Sequence, residues 1–179
     1  MAALFVDEYD FIYPPYLVPN QNESTWFQRY LQDKEEEILK RLMGWEFYAE
    51  FNTAIQGVNP AQKYIDIRDG AEYTYGGETF KYEGLNDFLV PAIYALWLRD
   101  SAYKTTNIGI GTNQKTDFNI LNPANVIARA YNIYSDKVGN SRHYENTFWG
   151  FMQANYLTYT AWDAFEDFNQ PGKLNSFGI

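Results

Sequence analysis

The chain holds a single histidine, His143, in the stretch SRHYENTF. Nucleophilic catalysis of the common kind needs a base beside the nucleophile, so a conventional triad would have to use this imidazole. No G-x-S-x-G elbow accompanies it, and the setting predicts an ordinary surface or helix residue. One histidine also cannot supply the two Glu-x-x-His motifs of a di-iron bundle. Two of the 23 Asp and Glu residues could meet in space as a glycosidase pair, but no spacing selects a pair. The run Lys34, Glu35, Glu36, Glu37 has no acid or histidine beside it at ligand-like spacing and is expected to be a solvated helix face. GIGTNQ from Gly109 lacks the Walker lysine and the G-x-G-x-x-G spacing, which makes it a flexible loop rather than a phosphate cradle. The expectation is a protein that is not an enzyme, with no catalytic, cofactor-binding or metal-binding residues.

Composition narrows the alternatives. With 179 residues, 46% of them apolar or aromatic, the chain can bury one core and is short for two. The net charge of -9 repels phosphate backbones and anionic lipid on average, and the cations are scattered apart from the adjacent pair Lys40 and Arg41. Tight DNA binding is not expected. Cysteine is absent, which excludes disulfides and thiolate zinc sites. MAALFVDEYD has no basic n-region, so no secretory signal is expected. The longest apolar run, Phe88 to Leu98, is too short to cross a bilayer and contains Pro91, so the protein is expected to be soluble. The 16 tyrosines stand out, because a tyrosine ring packs while its hydroxyl stays wet, a property suited to contact surfaces.

Residues that could act at contacts need elements to hold them. Residues 1–22, with Pro14, Pro15 and Pro19 among aromatics, read as an extended arm lying against the body or a neighbour. Ser24 or Asn22 caps a first helix whose Phe27, Leu31, Ile38 and Leu42 stack on one stripe, widened by Trp26, Tyr30, Leu39 and Met43 and stopped at Gly44. WEFYAEFNTAI forms a second helix. KYIDIRDG, from Lys63, reads as a possible third strand beside the hairpin that follows. That hairpin, residues 71–83, turns at Gly76-Gly77 and pairs Tyr75 with Glu78, Thr74 with Thr79, Tyr73 with Phe80 and Glu72 with Lys81. One side of the ribbon then carries Tyr73, Tyr75, Phe80 and Tyr82. An isolated hairpin is marginal in water, so this face must lie on the chain's own helices or on another subunit.

A central apolar helix is expected from about Leu85 to Tyr103, with a kink or late start at Pro91. Residues 104–121 read as a long loop whose Ile108, Ile110 and Phe118 argue against plain disorder. Asn122 caps and Pro123 opens another helix, ending before Gly139. A last helix is expected from about Ser141 to Tyr159. The tail, residues 161–179, carries Leu174, Phe177 and Ile179 after helix breakers and is expected to fold back or dock elsewhere. The predicted fold is mainly α: a bundle of four to five helices, spanning residues 23–160, with a projecting β-hairpin, a long loop, an arm and a tail.

The order of these features (an arm; WFQRYLQDKEEEILKRLMGWEFYAEF; a tyrosine-rich hairpin; YEGLNDFLVPAIYALWLRD; NIGIG; NPANVIARAYNIYSDKVGN) resembles the head-to-tail connector, or adaptor, proteins of tailed bacteriophages, particularly phages of Bacteroides-like hosts. The likeness covers residues 20–160. It implies a virion structural protein, assembled in the host cytoplasm. Copies of the chain would form a ring, twelvefold in that family, beneath the portal protein and above the tail or further connector proteins. DNA would pass through the channel without specific binding, no membrane would be involved, and there is no active site to carry over. Projecting elements in that family reach neighbouring subunits. Matched here, these are the ribbon from Tyr73 to Tyr82 and the loop from Asn107 to Phe118. The expected interface residues are Tyr73, Tyr75, Phe80, Tyr82, Ile108, Ile110, Phe118, Leu174, Phe177 and Ile179. The alternative is a protein- or carbohydrate-binding module using its exposed aromatics.

Overall fold

A computed structural model describes residues 5–11, 16, 24–101, 103–106, 109–112, 123–159, 161–162 and 171–174. The expected interface residues Ile108, Phe118, Phe177 and Ile179 lie outside these. The architecture is mainly α, as the periodicities predict: the described residues form six α-helices and two small antiparallel ribbons.

Helix α1, Ser24–Met43, buries Phe27, Leu31, Ile38, Leu39, Leu42 and Met43, the stripe read from their spacing. Gly44, at φ 76°, ends it and passes directly into α2, Trp45–Ile55, which buries Phe47, Tyr48 and Phe51. KYIDIRD is not a strand: Gln62–Asp69 forms α3 and turns Tyr64 and Ile67, one helical turn apart, into the core. The apolar-polar alternation of Ile65, Asp66, Ile67 and Arg68 mimics a strand over four residues. Pro60 before and Gly70 after delimit a helix instead.

Strands β1, Ala71–Tyr75, and β2, Glu78–Tyr82, pair in the predicted register, including Tyr73 with Phe80 and Thr74 with Thr79. Gly76 and Gly77 at the turn have open space around them, so the tip projects. At the ribbon's base the chain enters and leaves through two glycines at positive φ, Gly70 and Gly84. A Cβ on Gly70 would lie 2.3 Å from the Tyr82 carbonyl oxygen, and one on Gly84 2.6 Å from that of Arg68. Only glycine lets the two backbones close this neck.

Helix α4, Asn86–Ser101, is buried on all sides from Phe88 to Ala95, which makes it the central helix, with Pro91 inside it. Its most extensive partner is α5, Pro123–Val138, and α1 lies against it as well. An ion pair of 2.8 Å joins Lys137 of α5 to Asp87 of α4. Between these helices the expected long loop is in part a second ribbon. Strands β3, Tyr103–Thr106, and β4, Gly109–Thr112, pair antiparallel, with Ile110 opposite Thr105. The glycine content that suggested a loop is that of a strand with Gly109 and Gly111 at alternate positions.

The last helix, α6, is Phe148–Ala154, much shorter than the expected 141–159. Residues 140–146 are diverted into a tight loop. Asn140 and His143 exchange backbone hydrogen bonds of 2.8 and 3.1 Å, and Thr147 Oγ1 accepts the Gly150 N–H to cap α6. Among the described residues no helix is long and apolar enough to cross a membrane.

Candidate assembly interface

The aromatic face of the first ribbon is covered by its own chain. Tyr82 is 2% exposed, stacked on Phe151 of α6 at 4.9 Å, with Phe148 at 5.9 Å. Tyr73 is 5% exposed and meets Phe151 edge-on, while its hydroxyl donates to the Tyr144 carbonyl and accepts the Thr147 N–H at 3.3 Å. The half-buried pair Tyr75 and Phe80 sits against Tyr144, at 4.9 and 5.8 Å. Asn146 Oδ1 accepts the Lys81 N–H at 2.9 Å, fixing the ribbon's outer edge to the same loop. Of the four rings expected at a contact with a neighbouring copy, Tyr73 and Tyr82 are instead taken into their own chain's core, whereas Tyr75 and Phe80 stay half-buried. Rings with this much apolar area fold onto the nearest apolar surface, and α6 supplies it within the chain. Gly150 is what lets the ribbon come so close: a Cβ there would lie 2.0 Å from the Tyr144 carbonyl oxygen and 2.6 Å from the Tyr73 hydroxyl.

Burial sets the chemistry of these phenols. Desolvation pushes the Tyr82 hydroxyl well above its ordinary range, helped by the Asp87 charge, and it also raises Tyr73 against the opposing pull of its hydrogen bonds. In α1 and α2, burial followed by Glu36 and Glu35 pushes Tyr48 up to about 12. Tyr30 is raised by burial and by its 3.0 Å hydrogen bond to Asp100. These groups are neutral donors near pH 7, not bases. The Tyr82 hydroxyl and Trp162 Nε1 are buried with no hydrogen-bond partner among the described residues.

The second ribbon stands differently. Among the described residues, β3 and β4 make extensive contact only with each other and with α4, from which β3 directly continues. In chain order this two-stranded element stands between α4 and α5, the two helices most closely packed on each other.

Two further segments dock as extended peptides. In the arm, Phe5 and Val6 N–H groups donate to Glu35 Oε2 at 3.1 and 3.0 Å, Val6 and Phe11 are fully buried, and Phe11 meets Phe27 edge-on at 5.5 Å. Glu35 is 3% exposed, so the expectation that this run is wholly a solvated face is wrong at its first acid. The signal was present. Glu35 stands four residues from both Leu31 and Leu39, in the middle of the buried stripe. At the other terminus, Leu174 exchanges two hydrogen bonds with the Asn132 side chain of α5, at 2.8 and 2.9 Å, and is half-buried. That part of the tail folds back, one of the two expected outcomes. No sequence signal singled out Asn132.

The histidine shares a shallow cleft with Ser135 and Asp136. All three residue types of a triad are there, but the serine and the aspartate are otherwise engaged. Ser135 Oγ donates to the Pro171 carbonyl at 2.7 Å, Asp136 pairs with Lys173 at 2.7 Å, and His143 is exposed. Among the described residues no group of His, Asp and Glu is placed to hold a metal ion. A second cleft, of about 270 Å³, lies between α1 and α2, with Trp45 69% exposed at its edge and Tyr48, Asn52 and Gln56 along it. No protein-family model matches the chain, and no curated protein or solved structure matches it either.

Proposed function

We propose that the chain is a virion structural protein of a tailed bacteriophage, a head-to-tail adaptor whose copies form a ring beneath the portal and continue the DNA channel to the tail. The order of sequence features suggests the family. The observation that carries the assembly role is the β3–β4 ribbon, two short strands paired with each other beside the end of α4. A lone two-stranded hairpin is marginal in water, so a partner surface is what gives it a stable conformation. A head-to-tail ring needs two different complementary patches on each subunit, and a projecting ribbon supplies one. The net charge of -9 suits a conduit in which phosphate attraction would slow the passing duplex.

Electron microscopy of the chain co-purified with the portal protein of the same phage tests this reading. Rings, or density added at the portal, are expected. Dispersed particles that never associate with the portal would sink it.

A second reading has one observation in its favour. Exposed Trp45 beside the amides of Asn52 and Gln56 is a surface that could stack on a sugar or a protein side chain. Lys40 Nζ already sits 4.3 Å from the Trp45 ring. Titration with a glycan panel, followed by tryptophan fluorescence, gives no response under the adaptor reading and a saturable one under this alternative.

A further inference from the structure

The cleft between α1 and α2 already holds a positive charge. Lys40 Nζ lies 4.3 Å from the centre of the Trp45 ring and 5.6 Å from that of Tyr48, and it pairs with Glu36 Oε1. Two π faces and a carboxylate all attract a cation, so the chain's own lysine shows what this place favours. The walls are set by the core behind them. Leu39 and Leu42 of α1 and Phe47 and Tyr48 of α2 are buried, and the Gly44 N–H donates to the Lys40 carbonyl at 3.0 Å, which fixes the turn that brings Trp45 beside Lys40. Lys40 does not fill the cleft. About 270 Å³ stays open with its ammonium in place, room for one side chain rather than for a drug-sized ligand.

We propose that this cleft takes the guanidinium of an arginine presented by a partner protein. The charge of the lining selects a cation: two carboxylates, Glu35 and Glu36, stand against the one ammonium of Lys40. Their field reaches the ring at the cleft wall, since after burial it is Glu36 and Glu35 that hold the Tyr48 phenol above its ordinary value. The hydrogen-bonding groups select a donor. Lys40 already gives a proton to Glu36, Thr53 Oγ1 donates to the Ala49 carbonyl at 2.8 Å, and Gln56 Nε2 donates to Asn52 Oδ1 at 2.8 Å. What is left to a ligand is chiefly negative charge, lone pairs and the open surface of the Trp45 ring. Arginine answers all three, with five N–H donors and no acceptor, a plane that stacks on an indole, and a hydration shell shed more easily than that of an ammonium. A sugar hydroxyl is neutral and gains nothing from the surplus charge, and a carboxylate ligand is repelled by it. The proposal rests on the reading of this cleft as a binding surface and narrows its ligand; it needs neither a ring nor a portal.

The unaltered chain is titrated with two blocked tripeptides, Gly-Arg-Gly and Gly-citrulline-Gly. Citrulline keeps the shape of arginine and removes its charge. The Trp45 indole N–H resonance, identified by its loss in Trp45→Phe, reports binding. The arginine peptide is expected to shift it saturably with a Kd on the order of a millimolar, and the citrulline peptide to bind about tenfold more weakly. Lys40→Met removes the resident cation and should tighten the arginine peptide about fivefold, whereas Glu36→Gln should weaken it by about the same factor. Equal responses to the two peptides overturn the proposal, as does no response to the arginine peptide at about ten times the expected Kd. Unchanged affinity in both variants places the peptide elsewhere and overturns it too. A response to glycans without one to arginine overturns the choice of ligand and leaves the binding-surface reading standing; a response to neither sinks both.

Discussion

The ribbons β1–β2 and β3–β4 share a topology, two short antiparallel strands, and differ in what covers them. One face of the first carries four rings, Tyr73, Tyr75, Phe80 and Tyr82, and α6 takes that face into the core through Tyr73 and Tyr82. In the second, Tyr103 and Ile110 stand among Lys104, Thr105, Thr106, Gly109, Gly111 and Thr112, and the strands pair with each other. Topology alone therefore does not say whether a hairpin is taken into the core. The apolar area on one face does, since burial of that area is the term that fixes a ribbon in place.

The largest expected effect comes from alkaline pH, which acts on the covered ribbon and the core around it. Burial raises Tyr73, Tyr82, Tyr134 and Tyr159 above the ordinary tyrosine value of 10.0. A folded-state value above the unfolded one gives stability that is fully present below about pH 10 and lost as pH rises towards the folded values, because the unfolded chain then releases more protons. Circular dichroism and tyrosinate absorbance should change together in one cooperative step above pH 10. Tyrosinate formation with the helices intact would place these rings in water.

Next is Tyr82→Ala, expected to cost about 3–5 kcal/mol in denaturant unfolding, the range for removing a buried ring. Tyr82→Phe keeps the ring, deletes a hydroxyl with no partner among the described residues, and should leave stability unchanged or raise it by about 1 kcal/mol. Gly150→Ala should cost about 1–3 kcal/mol by pushing α6 away from the ribbon. Helix propensity alone predicts a gain of nearly 1 kcal/mol at that position, so even the sign is informative. The smallest effect belongs to the second ribbon. Under the adaptor reading, replacing residues 104–111 with a short Gly-Ser link should change unfolding free energy by no more than about 0.5 kcal/mol yet abolish the proposed assembly in electron micrographs.

Much of this was legible in the sequence. Residues such as Phe27, Leu31, Ile38 and Leu42 set a helical period by themselves, and Gly76-Gly77 set the hairpin register. Asn122-Pro123 and Gly139 marked a helix at both ends. What escaped depends on contacts between distant segments. The destination of the tyrosine face is set by Phe148 and Phe151, some 70 residues further on, and by Gly150, whose importance lies in the atom it lacks. The short α6 follows from Thr147 and the Asn140 to His143 turn, whose polar residues read equally well as a helix surface. Glu35 was readable, since its position on the apolar stripe outweighs its membership of an acidic run.

Amide hydrogen exchange, measured on the isolated chain and on assembled particles, tests the contrast between the ribbons most directly. The account predicts that β1 and β2 are protected in both samples, whereas β3 and β4 exchange rapidly in the isolated chain and become protected on assembly. Protection of β3 and β4 already equal to that of β1 and β2 in the isolated chain would contradict it. So would β3 and β4 amides that remain unprotected in the particles.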